Sequence, residues 1–347
     1  MRSFLPASRR PAWLSVFLAI LALGVASAQA SGTRTLLLPA APSVVRADGN
    51  LLAAVVPGNR KGRCAEIVLW RIGRAPVTIK TIVQCDNDGI GLDGVDELAL
   101  GGQTALWQET NGGNNLELSI GKATLTRPKE QEVSYVENGG GAADDPAGDW
   151  TGSIVGHGGL LAYGSWRECD RAGGDYARPC APGRPDVYAQ RLHRVGGRVL
   201  LWGADAIFPI WTDGHAILVR HLDHTLVLVD SAGRVLWRHS AVPGLVGAAF
   251  QGSQLVTLTR TALAVWDLRR GSVVRSFALA SGRRVLEDVD GGVAVLGLHG
   301  TTHLIRLSDG RGVTFAHAAH AQLEPQGLYF ADGRTLRFVP RASIRFG

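Results

Sequence analysis

Short hydrophobic runs separated by glycine turns recur along most of the chain. Three clear copies of this pattern are "DGHAILVRHLDHTLVLVDSAGRVLWRH", "QGSQLVTLTRTALAVWDLRRGSVVRSF" and "DGGVAVLGLHGTTHLIRLSDGRGVTFA". Their first turn glycines, Gly214, Gly252 and Gly291, are 38 and 39 residues apart. A hydrophobic run, a tight turn and a returning run predict paired antiparallel strands, and about 40 residues hold four of them. The pattern therefore indicates a repeated four-stranded unit.

Looser copies extend the repeat toward both ends of the chain. They begin at Asp48, Gly101 and Gly158, and a last, shorter copy begins at Gln326. That last copy leaves too little chain for four strands. The segment "TRTLLLP" at residues 33–39 is a strand without a repeat of its own, so we expect it to pair beside the C-terminal strands and remove an exposed edge. The sequence thus predicts an all-β fold, a seven-bladed β-propeller closed by an N-terminal strand.

Two short stretches resemble known propeller families. Trp266-Asp267 in "ALAVWDLRRGSVVRSF" stands where WD-repeat propellers have their Trp-Asp pair, and "LVDSAGRVLWRH" is similar to the strand-turn-strand of quinoprotein-like blades. The resemblance covers essentially residues 33–343 and implies a secreted bacterial β-propeller. The fold alone does not define an activity.

The first thirty residues have the pattern of a secretory signal peptide. Three arginines precede an apolar run at residues 13–25, and Ala28-Gln29-Ala30 offers a small-x-small cleavage site. The apolar run is shorter than the roughly 18 to 20 residues that span a bilayer. We therefore expect residues 1–30 to be removed and residues 31–347 to form a single propeller domain without a membrane anchor. The protein would be secreted or retained outside the cytoplasmic membrane.

The net charge argues against a nucleic-acid partner. The formal charge is +6, and three of these positive charges belong to the N-terminal segment, which leaves +3 for the rest. The arginines are scattered, whereas a surface that follows phosphates needs a dense basic patch. A protein, peptide or glycan is the expected partner, and a monomer is the expected state.

Four cysteines in an exported chain predict disulfides. Cys64 opens the strand "CAEIVLW" and Cys85 closes the next one, "VTIKTIVQC". These two ends lie side by side in an antiparallel pair, within the distance that a disulfide spans. Cys169 and Cys180 flank one glycine-rich loop. We predict bridges between Cys64 and Cys85 and between Cys169 and Cys180.

The segment "DNDGIGLDGVDELALGG", residues 86–102, carries five acidic side chains among glycines. Carboxylate oxygens on a flexible turn suit Ca²⁺, and the second half of the segment resembles the calcium loop of integrin-type propeller repeats. The candidate ligands are Asp86, Asp88, Asp93 and Glu97. A solvated acidic connection between two blades is the alternative interpretation, and in that case no cofactor is expected.

The topology of a four-stranded blade predicts which loops cluster. Loops between the second and third strands share a face with the connections from blade to blade. Long segments of both kinds fall in the first three blades, at residues 57–63, 86–93, 137–149 and 167–185. Since loops on a rigid scaffold often carry binding residues, we predict a binding face there. It would include Asp144, Asp145, Asp149 and Asp170.

No local motif assigns an activity. The chain lacks G-x-S-x-G, H-E-x-x-H and a P-loop, and it has no adjacent cysteines of the kind found in quinone-dependent propellers. "HLDH" at residues 221–224 and "HAAH" at 317–320 fit polar turns, with metal binding as the other hypothesis. A binding or scaffold module is the favoured function. The alternative is a glycosidase or lyase whose carboxylates converge in the central funnel, whereas arginine, valine and alanine there would favour binding.

The predicted disulfides can be checked by peptide mapping under non-reducing conditions. We expect one cross-linked peptide joining Cys64 to Cys85 and another joining Cys169 to Cys180. A peptide that links Cys64 to Cys169 or Cys180 would contradict both the pairing and the strand assignment beneath it.

Overall fold

Four successive hydrophobic segments pair into one antiparallel sheet, and this unit is repeated around the molecule. The computed structural model describes residues 34–58, 64–83, 94–111, 115–139, 148–169, 187–203, 207–221, 223–280 and 282–347. Arg34–Gly347 forms one compact unit. Within the described residues there are seven four-stranded sheets. The prediction of an all-β, seven-bladed propeller is confirmed.

The first three blades use consecutive strands in up-and-down order. Blade 1 contains β2 Val44–Asp48, β3 Leu51–Pro57, β4 Ala65–Arg71 and β5 Val77–Ile82; blade 2 contains β6 Gly94–Gly101, β7 Thr104–Asn111, β8 Asn115–Thr124 and β9 Gln131–Gly139; blade 3 contains β10 Gly148–His157, β11 Leu160–Glu168, β12 Val187–Arg194 and β13 Val199–Gly203.

The next three blades follow the same order, and the last combines both ends of the chain. Blade 4 contains β14 Ile207–Thr212, β15 Ala216–His221, β16 Leu226–Asp230 and β17 Val235–His239; blade 5 contains β18 Leu245–Gln251, β19 Gln254–Thr259, β20 Ala262–Asp267 and β21 Ser272–Ala278; blade 6 contains β22 Val285–Asp290, β23 Val293–Leu298, β24 Thr301–Arg306 and β25 Gly312–Phe315; blade 7 contains β26 Ala319–Glu324, β27 Gly327–Asp332, β28 Thr335–Pro340 and β1 Thr35–Leu37, before a 3₁₀ turn at Arg341–Ser343.

The second strand of each blade is buried because it is packed between two neighbouring blades. In β3, six successive residues from Leu51 to Val56 are buried, so the strand is a continuous apolar run instead of an alternating one. Seven hydrophobic clusters of described residues fill the spaces between neighbouring blades. The outer strands have one free edge and are more polar and exposed, as in β21.

The N-terminal strand closes the ring. Leu36 of β1 lies opposite Leu336 of β28 in antiparallel register, and the fourth strand of blade 7 is therefore supplied from the other end of the chain. The predicted pairing of this segment with the C-terminal strands is confirmed. The cluster between blades 7 and 1 includes Leu38, Tyr329 and Leu336, all buried.

The Trp-Asp pair ends β20, the third strand of blade 5. The Trp266 indole nitrogen donates to the Thr257 hydroxyl at 2.9 Å on the neighbouring strand. The Asp267 carboxylate accepts the backbone N–H groups of Arg269 and Arg270 in the turn that follows. The pair thus fixes the turn between the third and fourth strands.

The two ends of the ring differ. Hydrogen bonds link the turns between the first and second strands of neighbouring blades, so these turns share one end, which we call the turn face. The strand ends that lead into the blade-to-blade connections and into the second-to-third-strand loops lie at the other end, the connection face. The C-terminal ends of β5 and β11 both lie at the connection face.

Glu137 and Asp149, which the sequence places in a connection between blades, lie instead in β9 and β10. Strand pairing extends both strands over these residues.

Ring closure can be tested by two proline substitutions that differ in one hydrogen bond. Leu38 N–H donates to Arg334 O and Phe338 N–H to Arg34 O, so alternation along the antiparallel ladder places the N–H of Leu36 in the ladder and that of Thr35 outward. Leu36→Pro removes the inward donor at a cost of about 2 kcal/mol. The expected fall in melting temperature is roughly 4 °C.

Thr35→Pro is the matched control, since proline is tolerated where an edge N–H faces solvent. It should leave the melting temperature within about 1 °C of wild type. Equal effects of the two substitutions would show that this strand does not close the ring.

Candidate functional site

The first strands of all seven blades surround a central channel. Its cavity has a volume of about 450 Å³. The wall includes apolar, basic and acidic side chains, among them Val44, Arg46, Ala99, Arg220, Ala248, Glu287, Asp288 and Glu324. The funnel therefore combines both sets of residues that the sequence analysis associated with binding and with catalysis.

Arg46 of β2 lies half-buried in the channel wall. Its guanidinium donates to the neighbouring Val45 carbonyl at 3.0 Å. Burial lowers the pKa of Arg46, and the negative charges of Glu287, Asp288 and Glu97 oppose this shift. One guanidinium thus offsets part of the charge of three carboxylates that belong to blades 2 and 6.

The channel carboxylates bond to backbone groups of the neighbouring blades. Register shifts in β10 and β26 locally disrupt the pairing of these first strands with their second strands. Glu97 accepts the N–H of Ile154 at 2.6 Å, and Glu287 accepts that of Ala321 at 2.8 Å. Each acceptor is one blade away from its donor. These carboxylates therefore satisfy backbone donors at irregular positions and join blade 2 to blade 3 and blade 6 to blade 7.

Asp288 is buried and is held through both of its carboxylate oxygens. One accepts the N–H of Val289 at 2.7 Å and the other that of Leu323 at 2.6 Å. Burial raises its pKa from 3.8 to about 7, although the two amide bonds oppose the shift. Burial also raises the pKa values of Glu97 and Glu287. Catalytic acids have such raised values, but so do carboxylates that are buried for structural reasons.

A ring of side chains links the turns at the turn face. Asp213 accepts the N–H of Gly252 at 3.2 Å, and Gln251 accepts that of Gly291 at 2.7 Å. The turns of blades 3 and 4 contact each other through two glycines, Gly158 and Gly214. A Cβ on Gly214, where φ is +88°, would lie 3.1 Å from the Cα of Gly158, so a larger residue would force the two turns apart. Residues at or next to the ends of the first strands, and in six of the seven blades a turn glycine that follows, thus set the spacing between blades.

Three residues of this ring converge near the turn-face end of the channel. They are Asp48 at the end of β2, His157 at the end of β10 and Glu324 at the end of β26, and one ligand atom from each lies within 4.8 Å of the others. Glu324 is buried, while Asp48 and His157 are half-buried. Burial and the charges of nearby acids, Asp288 first, raise the pKa of Glu324 to about 8. A histidine nitrogen and two carboxylates form a donor set suited to a metal ion.

The predicted calcium ligands are only partly described. Glu97 lies in the channel wall, bonded to Ile154. Asp86, Asp88 and Asp93 lie outside the described residues, so the calcium site remains a prediction.

The predicted binding-face acids and disulfides are also mostly outside the described residues. Asp149 forms an ion pair with Arg167 at 2.6 Å, between β10 and β11. Neither Cys64 nor Cys169 is a free thiol, and the Cys64 N–H bonds to Ile82 O at the end of β5. The other residues of the two predictions lie outside the described part of the chain: Cys85, Cys180, Asp144, Asp145 and Asp170. The disulfide pairing and the acidic binding face therefore remain predictions.

The two histidine segments have different positions. His224 has a positive φ in the turn between β15 and β16 and donates its N–H to His221 O. His320, by contrast, belongs to β26 and lines the channel. The first segment is a polar turn, whereas the second contributes to the channel wall.

Sequence reasoning missed Arg46, His157, Asp288 and Glu324. Two signals point to them. Arg46 lies between apolar residues in β2, and β22 carries Glu287, Asp288 and Asp290 among its six residues. Asp48, His157, Asp213 and Asp290 each directly precede a turn glycine. Aligning the seven turns would have placed these side chains in one ring.

The comparisons with known proteins support the fold. No family model and no curated protein matches the chain. Among solved structures, Raptor of Chaetomium thermophilum aligns at a TM-score of 0.52 and 12% identity, over 91% of this chain and 29% of that one. A chain of a mitotic checkpoint complex aligns at a TM-score of 0.50 and 12% identity, over 89% and 95%. These neighbours are WD-repeat propellers, and at such identity the similarity concerns the fold alone.

Among the described residues, no helix has the length and apolar character needed to cross a bilayer.

The raised pKa of Asp288 predicts a pH-dependent stability. Between pH 3.8 and about 7, the folded state retains a proton on Asp288 that the unfolded chain has lost. Stability should therefore fall as pH rises through this range. Asp288→Asn removes this charge, so the melting temperature of the variant relative to wild type should increase by roughly 2 °C or more between pH 5 and pH 8.

The change with pH is the readout, because the amide that this substitution introduces replaces one acceptor with a donor and lowers stability at every pH. Asp309→Asn is the control. Asp309 is exposed and forms an ion pair with Arg306, and the hydrogen bond from Arg306 lowers the pKa of Asp309. Parallel pH curves for wild type and Asp288→Asn would contradict the assignment.

Proposed function

We propose that the chain is an exported binding module that holds a protein partner at the connection face of its propeller. The observation that carries this proposal is the engagement of the channel carboxylates. Glu97 and Glu287 each accept a backbone N–H from the next blade, and Asp288 accepts two. These three acids therefore take part in backbone contacts that hold neighbouring blades together.

A hydrolase of the alternative class needs two carboxyl groups facing a substrate, one to donate a proton and one to act as base or nucleophile. Asp288 has no carboxylate oxygen without a backbone donor. Breaking those bonds for a substrate would expose the N–H groups of Val289 and Leu323 in a buried region, which is costly. This geometry favours a structural role for the acid.

Apolar side chains are exposed at the connection-face end of the channel. Val246 of β18 and Val285 of β22 are 45% and 58% exposed, and their strands are neighbours. Leu245 and Leu286 line the channel beside them. Exposed apolar side chains next to each other, with polar surroundings, are typical of a surface that contacts a partner.

The opposite side of this mouth carries charged and hydroxyl groups beside apolar ones. A second cavity of about 490 Å³ is lined by Asp96, Ser153, Phe208 and Arg220, among others. A partner segment that places an apolar side chain against Val246 and Val285 would meet charged and hydroxyl groups on the other side. This combination fits a protein segment that presents an apolar side chain beside polar groups.

Two features support export. The first thirty residues have the pattern of a signal peptide. Cys64 and Cys169, moreover, are not free thiols, which suits an oxidising compartment. The partner would then be another protein outside the cytoplasm.

The proposal can be tested by affinity capture with paired surface variants. The purified chain is used as bait on culture fluid of its source organism, and captured proteins are quantified by mass spectrometry. Val246→Asp combined with Val285→Asp should reduce capture of the partner by about tenfold or more, because a charge in an apolar contact is desolvated without a counter-ion.

The matched control is Val235→Asp combined with Leu236→Asp. These residues are 48% and 54% exposed, but they lie on β17, an outer strand away from the channel. The control should capture the partner as wild type does. Equal capture by both double variants would overturn the proposal, as would glycan cleavage that is lost in Asp288→Asn, which would establish the enzyme alternative.

A further inference from the structure

The end of the channel at the turn face gathers one histidine and two carboxylates from three blades. Asp48, His157 and Glu324 each end the first strand of their blade, in blades 1, 3 and 7. The equivalent position in blade 2 is Gly101, where a Cβ would lie 2.9 Å from the Leu161 side chain. Because this position carries no side chain, Asp48 can reach past blade 2 toward blade 3.

Backbone hydrogen bonds orient both carboxylates. Asp48 Oδ2 accepts the N–H of Gly158 at 2.7 Å and also that of Gly102. Glu324 Oε2 accepts the N–H of Gly49 at 3.0 Å. Its other oxygen, Oε1, lies 4.0 Å from Nδ1 of His157. Each carboxylate is thus held through one oxygen, as outer partners hold the ligands in metal sites.

We propose that Asp48, His157 and Glu324 bind one divalent transition-metal ion of the zinc class at the turn-face end of the channel. The three ligand atoms lie within 4.8 Å of one another. Zinc ligands at about 2.0 to 2.2 Å from the ion stand roughly 3.5 Å apart, so small side-chain rotations bring the set to coordination distance.

The chemistry of the donors selects the class of ion. Imidazole nitrogen favours Zn²⁺ and related transition ions, whereas Ca²⁺ and Mg²⁺ prefer oxygen ligands alone. Three protein ligands leave a fourth position for water or another ligand. His157 and Glu324 line the central cavity, so that position is accessible from the channel.

The local charge also favours a cation. Glu324 is only 3% exposed, and its carboxylate shares this region with Asp48, Asp288 and Asp290. Arg341 forms an ion pair with Asp290, and its Nη1 also donates to the backbone carbonyl of Glu324 at 3.2 Å, which leaves the Glu324 carboxylate without an arginine ion pair among the described residues. A divalent ion would offset the two carboxylates that bind it and would tie together the blades on either side of the closing interface.

The site is independent of the proposed partner surface. Val246 and Val285 lie at the connection-face end of the channel, and the cluster lies at the opposite end. Loss of partner capture therefore says nothing about metal binding, and the two proposals can fail separately.

The test is calorimetric titration of ZnCl₂ into the purified chain, prepared without an affinity tag and treated with a chelator. Wild type should bind one ion at this site, and His157→Ala should weaken that binding by about tenfold or more. The His157 side chain is 38% exposed, so the variant should fold. Glu324→Gln should have the same effect if its melting curve shows a folded protein.

Two further measurements decide between this cluster and others. His224→Ala alters the histidine-rich turn between β15 and β16 and should leave zinc affinity unchanged. With Co²⁺ as the probe, wild type should develop visible absorption bands that His157→Ala lacks. Unchanged zinc affinity and unchanged cobalt bands in His157→Ala would overturn the proposal and leave the three residues a structural role only.

Discussion

Pairing of β1 with β28 is the interaction on which the rest of the structure depends. The other six blades are each formed from consecutive strands, but blade 7 needs the strand at Thr35–Leu37 from the opposite end of the chain. Without it, β28 would present an open edge, and the cluster that includes Tyr329 and Leu336 would lose part of its cover. Closure lets the seven clusters between blades form a complete ring, so each blade buries both of its faces.

A closed ring creates a second requirement near its axis. The first strands converge there, and their irregular pairing leaves backbone donors that need acceptors. Glu97 and Glu287 supply them across the space between blades. Burial of these acids raises their pKa values, and Arg46 offsets part of the charge. The acids of the channel therefore have a structural role as acceptors, and their presence does not by itself indicate catalysis.

The two ends of the channel have different chemistry. Val246 and Val285 make one side of the connection-face end apolar, which suits a partner surface. At the turn face, the blades are linked by side chains that bond to turn glycines, and Asp48, His157 and Glu324 converge. One end thus offers area for recognition, and the other offers a small, rigid set of donors. The scaffold separates the two, since its first strands run the full length between them.

The sequence by itself determined the repeat, the number of blades and the closing strand. Glycine turns about 39 residues apart and apolar runs such as Leu51–Val56 depend on local spacing and on burial, and both are readable along the chain. Closure followed from counting strands, because residues 33–39 had no other partner. Trp266-Asp267 supported the assignment, since the pair acts within its own strand and turn.

Only the tertiary structure decided which polar residues meet. Asp48 and Glu324 are 276 positions apart in the chain, and their proximity comes from ring closure. The sequence showed Glu97 as one acid of a loop-like segment, whereas the fold places it in the channel wall against Ile154. The reason is physical: strand periodicity sets which face a residue occupies, but the closing of seven blades around an axis sets its neighbours. Repeats can be predicted from local order, and a site built from several blades requires their arrangement in space.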